Sequence, residues 1–94
     1  MFRYRKSLRL TYMQQGYIYF KCQLYKELPA ADQETILTLC FYCGGDSWKA
    51  LYDYMCTDTT RTKVCMQHHI SEATLDRMVN KFYGRYPLPK KRRR

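Results

Sequence analysis

Glycine and proline are scarce in this chain of 94 residues, four and three respectively, and eight acidic residues face 17 lysines and arginines. So few glycines leave little room for a phosphate cradle, and no glycine-rich phosphate loop occurs. No apolar run approaches the roughly 18 residues of a membrane span, and Met1 to Arg9 is not followed by the uninterrupted apolar core of a signal peptide. A soluble, unsecreted, cytoplasmic protein is therefore expected. The five cysteines, Cys22, Cys40, Cys43, Cys56 and Cys65, are an odd number without a secretory signal, which disfavours a disulfide framework. Paired carboxylates are missing, and the adjacent His68 and His69 have no clear orienting carboxylate, so the chain reads as a non-enzyme.

What the chain does have is apolar material and unevenly placed charge. A hydrophobic fraction of 46% with ten tyrosines is enough for one small domain despite a net charge of +9. Residues 1–9 contribute +4 and residues 85–94 contribute +6, which leaves the body, 10–84, at −1. The expected organisation is a basic N-terminal arm (1–9), a helical domain (10–84) and a basic, extended, flexible tail (85–94). Such cationic ends suit a polyanion, because they neutralise phosphates and release counterions.

Apolar residues recur with the helical period almost throughout, predicting an all-α bundle of about five helices. A first helix between Ser7 and Lys26 would bury Leu10, Met13, Tyr17, Phe20 and Leu24. A second, opened by Leu28-Pro29, would bury Ile36, Leu39, Cys40 and Cys43 and stop at Gly44-Gly45. A third, from Ser47 to Cys56, carries Trp48, Leu51, Tyr52 and Met55 at i, i+3, i+4 and i+7. Thr60 to about His68 and Glu72 to Tyr83 follow, the last capped by Ser71, striped by Leu75, Met78, Val79 and Phe82, and ended by Gly84.

The segment Arg61-Thr-Lys-Val-Cys-Met-Gln-His-His-Ile-Ser-Glu-Ala-Thr-Leu-Asp-Arg-Met-Val-Asn80 resembles the helix-turn-helix of bacterial and phage DNA-binding proteins. Cys65 is small where two helices would cross, Val64 is a core anchor, Ile70 plugs the turn, Ser71 caps the second helix, and Leu75 and Met78 point inward. His69 stands where that family usually has glycine, a position that calls for a left-handed backbone. Within 60–83 the resemblance implies a recognition helix offering Ser71, Glu72, Ala73, Asp76, Arg77 and Asn80 to double-stranded DNA. Arg77 would suit guanine, Asn80 adenine, and Glu72 cytosine N4. Thr60, Thr62, Lys63, Lys81, Arg3, Arg5, Lys6, Lys90, Lys91, Arg92, Arg93 and Arg94 would hold phosphates. A loose similarity to sigma-factor-like phage and mobile-element regulators implies a role in transcription or recombination in a bacterial or phage-infected cell. The helix from Ser47 to Cys56 departs from that plan. A homodimer would follow the usual habit of the family, and the acidic helices from Ala30 to Met55, with Phe41 or Tyr54 exposed, would supply its surface.

Three other readings compete for the same residues. Cys40-x2-Cys43 and Cys65-x2-His68 have zinc-ligand spacing, although Cys40 and Cys65 are also explained as buried small residues, so no cofactor is expected. Tyr4, Tyr12 and Tyr86 lie near the basic ends, where they could stack on bases, whereas Tyr17, Tyr42 and Tyr52 fall on or beside core stripes. The alternative function is a phage-type inhibitor or accessory protein that docks on a protein or ribonucleoprotein, its basic ends on RNA. Pro89 to Arg94 also has the composition of a nuclear import signal.

Overall fold

Helices begin where a hydroxyl or proline is available to start them. The computed structural model describes residues 2–88 and is all-helical, with no strand among those residues. Its elements are α1 (Tyr12–Gln23), α2 (Ala30–Gly44), α3 (Trp48–Cys56), α4 (Arg61–His68) and α5 (Glu72–Arg85), with short 3-10 turns at Tyr25–Glu27 and Gly45–Ser47. Thr11 caps α1 reciprocally: its hydroxyl accepts from the Gln14 N–H at 3.1 Å, and the Gln14 side chain accepts from the Thr11 N–H at 2.9 Å. Pro29 stands at the N-cap of α2, and Thr60 and Ser71 cap α4 and α5 by accepting from Lys63 and Thr74 N–H groups. Gly45, with φ +54°, turns the chain out of α2 in a conformation that a side chain would strain.

The short α3 lies at the centre, packed against α1, α2, α4 and α5. Its Ala50, Leu51, Tyr54, Met55 and Cys56 are buried, together with Ile36, Cys40 and Cys43 from α2 and Leu75, Met78, Val79, Phe82 and Tyr83 from α5. Tyr54 is therefore a core residue rather than an exposed partner contact, because the buried side of α3 is turned toward positions 50 and 54. Phe41 is exposed, in edge-to-face contact with Trp48, their ring centroids 4.5 Å apart.

The first helix departs most from expectation. It starts at Tyr12, and the face it buries is Gln15, Gly16, Ile18, Tyr19 and Cys22. Met13, Tyr17, Phe20 and Leu24, read as its core stripe, are exposed. Both faces are largely apolar, and Gln15 made the true inner face look polar. Tyr42, also assigned beside a core stripe, is exposed, whereas Tyr52 is half-buried.

The ends differ as well. Residues 2–10 are no free arm, since Phe2, Leu8 and Leu10 pack against the core. The fully buried Gln15 carboxamide holds this segment, accepting from the Arg5 N–H at 2.9 Å and donating to the carbonyls of Arg5 at 3.0 Å and Leu10 at 3.1 Å. Gly84 does not end the last helix, which runs on to Arg85 and stops ahead of Pro87, where a helical conformation before proline is disfavoured. Tyr86, assigned to the tail, is buried beside Phe82 with ring centroids 5.9 Å apart. Lys90, Lys91, Arg92, Arg93 and Arg94 lie outside the described residues.

Replacing Gln15 by alanine removes all three of its bonds and leaves partly buried backbone groups unmet. Urea unfolding should show Gln15→Ala less stable by about 1–3 kcal/mol. A change within about 0.5 kcal/mol, the range of ordinary surface substitutions, would contradict this role.

Candidate nucleic-acid interface

Between α4 and α5 the chain turns through His69, Ile70 and Ser71. His69 has φ 57° and ψ 46°, the left-handed conformation, and is the sole non-glycine residue with positive φ among those described. The Cys65 carbonyl accepts from the N–H groups of both His69 and Ile70, which closes α4 as a left-handed C-cap usually does. Ile70 is half-buried beneath the turn, and Val64, Cys65, Leu75 and Met78 are buried. His68 leans the other way, its Nε2 2.7 Å from an Asp53 carboxylate oxygen, which ties the end of α4 to α3.

The outward side of α5 is divided by charge. Along one edge, Asp76 receives two bonds from Arg61, at 2.9 and 3.1 Å, and a longer one from Arg5 at 3.4 Å. Arg5 also donates to Asn80 Oδ1 at 3.3 Å, while Glu72 lies 3.5 Å from Arg61 and accepts from the Thr62 hydroxyl at 3.5 Å. The bond to Asp76 pushes the Arg61 pKa further up, so that guanidinium is permanently charged. The carboxylates of this helix are thus neutralised by the chain's own arginines. These are part-exposed contacts, so their worth lies in shaping the surface more than in stability.

Along the middle and the other edge, Arg77, Lys81 and Arg85 recur every four residues and are exposed. None makes an ion pair among the described residues. Lys81 and Arg85 both stack on the Tyr42 ring of α2, at 5.0 and 4.8 Å from its centroid. The pair of cations on one exposed ring extends the basic surface from α5 onto α2. Neither Arg85 nor Tyr42 stood out in the sequence as a contact. The spacing 77, 81, 85 was there to be read, but only for a helix that continues through Gly84.

The six positions assigned to base reading therefore fall into two groups. Ser71, Ala73 and Arg77 are exposed, with the Ser71 hydroxyl engaged at the cap; Glu72, Asp76 and Asn80 are occupied by Arg61, Thr62 and Arg5. Of the phosphate candidates, Lys6 and Lys63 are exposed, and Thr60 and Thr62 line a cleft of about 430 Å³ with Arg3, Arg61 and Tyr54. Arg5 is not free for phosphate, since its side chain is only 12% exposed. Tyr4 and Tyr12 remain exposed, whereas Tyr86 is not.

Cys40, Cys43, Cys65 and His68 are not brought together. Among the described residues, no three of histidine, cysteine, aspartate and glutamate stand where they could hold a metal ion. All five cysteines are free and buried. Burial pushes the thiols of Cys40, Cys43 and Cys65 up, and Cys56 is raised by its bond with Cys22 and then by burial. Burial also lifts the Tyr19 phenol to about 12 and raises Tyr83. No helix among the described residues is long and apolar enough to cross a membrane. No family model, curated protein or solved structure matches the chain.

These buried acids set a pH dependence. Unfolded, they ionise from their ordinary values of 9.0 for thiols and 10.0 for phenols, while in the folded chain their ionisation is displaced to higher pH. Stability should be intact below about pH 8 and fall as pH rises through 9 and beyond, because the unfolded state then binds fewer protons. A urea midpoint lower at about pH 10 than at pH 7 is expected; equal midpoints would contradict the burial of these groups.

Proposed function

We propose that the chain is a small DNA-binding protein in which α4 and α5 act as a helix-turn-helix, serving as a transcriptional regulator or recombination accessory factor. The observation that carries the reading is the left-handed His69 between two capped helices whose inner residues are buried and whose outer face bears unpaired cations. A histidine in this backbone region is uncommon, and the left-handed turn it makes is the one the resemblance calls for.

The division of the α5 surface refines the assignment. Arg77, at the centre of the exposed face, is the group best able to reach guanine O6 and N7, with Ser71 and Ala73 beside it at the N-terminal turn. Asp76 and Asn80 serve to hold Arg5 and Arg61 in place. Lys63, Lys81 and Arg85 then grip phosphates on either side, with Arg3 and Lys6 near the start of the chain and the run Lys90 to Arg94 at its end. Duplex DNA suits this surface, because the exposed cations Arg77, Lys81 and Arg85 follow one helix ridge.

Selection from a random duplex pool, followed by binding measured over a range of salt, tests the proposal. The chain should enrich a defined site. Arg77→Ala should cost about 1–3 kcal/mol on that site and relax preference at one base pair. Lys81→Ala should weaken all duplexes alike and reduce the salt slope by about 1. Enrichment of no sequence, or binding that disappears entirely with the Lys90 to Arg94 run and is insensitive to Arg77, would overturn it.

A further inference from the structure

α1 carries a second apolar face that the described chain covers only in part, Phe2 lying against Tyr12 and Phe20. Met13, Tyr17, Phe20 and Leu24 are 76, 40, 56 and 52% exposed, and Tyr12, 60% exposed, lies beside them. With Phe2, Lys21 and the backbone at Gly16 they line an open groove of about 510 Å³. The steps between the four are four, three and four residues, the spacing of an a/d seam, in which one helix packs its knobs into the holes of another. A contiguous exposed apolar patch of this kind marks an interaction surface.

We propose that this face is the seam of a homodimer, formed by α1 of two copies packed antiparallel about a twofold axis. The area is sufficient. At about 200 Å² for a whole aromatic side chain, Tyr12, Tyr17 and Phe20 expose roughly 300 Å², and Met13 and Leu24 bring the face to about 500 Å². Two copies would cover about 1,000 Å², the lower bound for a specific interface. A surface that meets itself must also avoid repelling itself. Lys21 is the one charged residue of α1, and its ammonium is held by Asp32 at 3.7 Å and by the Tyr17 hydroxyl at 3.2 Å. Antiparallel packing about the midpoint of the seam sets Met13 against Leu24 and Tyr17 against Phe20 of the other copy. It also places Lys21 opposite Gly16 instead of opposite a second lysine. Residues 89–94, Pro-Lys-Lys-Arg-Arg-Arg, offer no apolar side chain beyond one proline to match such a groove.

This seam lies on a different helix from the acidic α2–α3 surface that the sequence suggested for a dimer, and it does not depend on DNA binding. Sedimentation velocity on the full chain without nucleic acid, in about 0.15 M salt to screen the charge of the two copies, reads it directly. Over about a hundredfold range of concentration the mass should rise from 11.4 kDa toward twice that value. Met13→Glu should weaken association at least about tenfold. Met66→Glu, the same change at a 71% exposed site on α4, should leave it unchanged. A monomer at every concentration, which would leave the face to a partner of another kind, overturns the proposal. So does a dimer indifferent to Met13→Glu, or one equally weakened by both variants.

Discussion

A buried carboxamide holding both polar groups of one backbone residue does what a short stretch of sheet would do, without a strand. Gln15 bonds to the N–H and the carbonyl of Arg5 and to the carbonyl of Leu10, so residues 2–10 have one path across the molecule. That path seats Phe2 against the rings of Tyr12, Tyr19 and Phe20, and brings the Arg5 guanidinium to Asp76 and Asn80 on α5. Through this contact the N-terminal segment, α1 and the outer surface of α5 become parts of one arrangement. The cost of burying an amide is met because each of its polar atoms has a partner.

The charge of the molecule takes on a different meaning in this light. Arg5 belongs by sequence to a cationic arm, yet its charge is used up close to the carboxylates of α5, as is that of Arg61. What faces outward is Arg77, Lys81 and Arg85 on one ridge, with Tyr42 beneath two of them. An α5 that looked nearly balanced in charge is thereby sorted into a compensated edge and a cationic edge. Such a surface would attract a polyanion through the second while the first keeps its geometry fixed.

Much of the architecture was legible from local signals. Thr60, Ser71 and Gly44-Gly45 mark helix boundaries through capping chemistry, and the stripe Leu75, Met78, Val79, Phe82 is buried as its period implies. Two things were not legible. Periodicity cannot rank two apolar faces of one helix, and in α1 the face interrupted by Gln15 is the one that packs inward, because a distant backbone segment satisfies the amide. The pairing of Asp76 with Arg5 and Arg61 spans 71 and 15 residues, a relation that only the packed structure establishes. The exposed half of the candidate interface was within reach of sequence reasoning, and its occupied half was not.

Amide hydrogen exchange at Arg5 tests most directly whether Gln15 fixes the N-terminal segment. If it does, the Arg5 N–H, which lies outside any helix and is bonded to the fully buried Gln15, will exchange far more slowly than the amides of neighbouring Arg3 and Lys6 and will lose that protection in Gln15→Ala. An Arg5 amide that exchanges at the rate of an unstructured chain would show that the segment is a free arm and that the edge of α5 is not held by it.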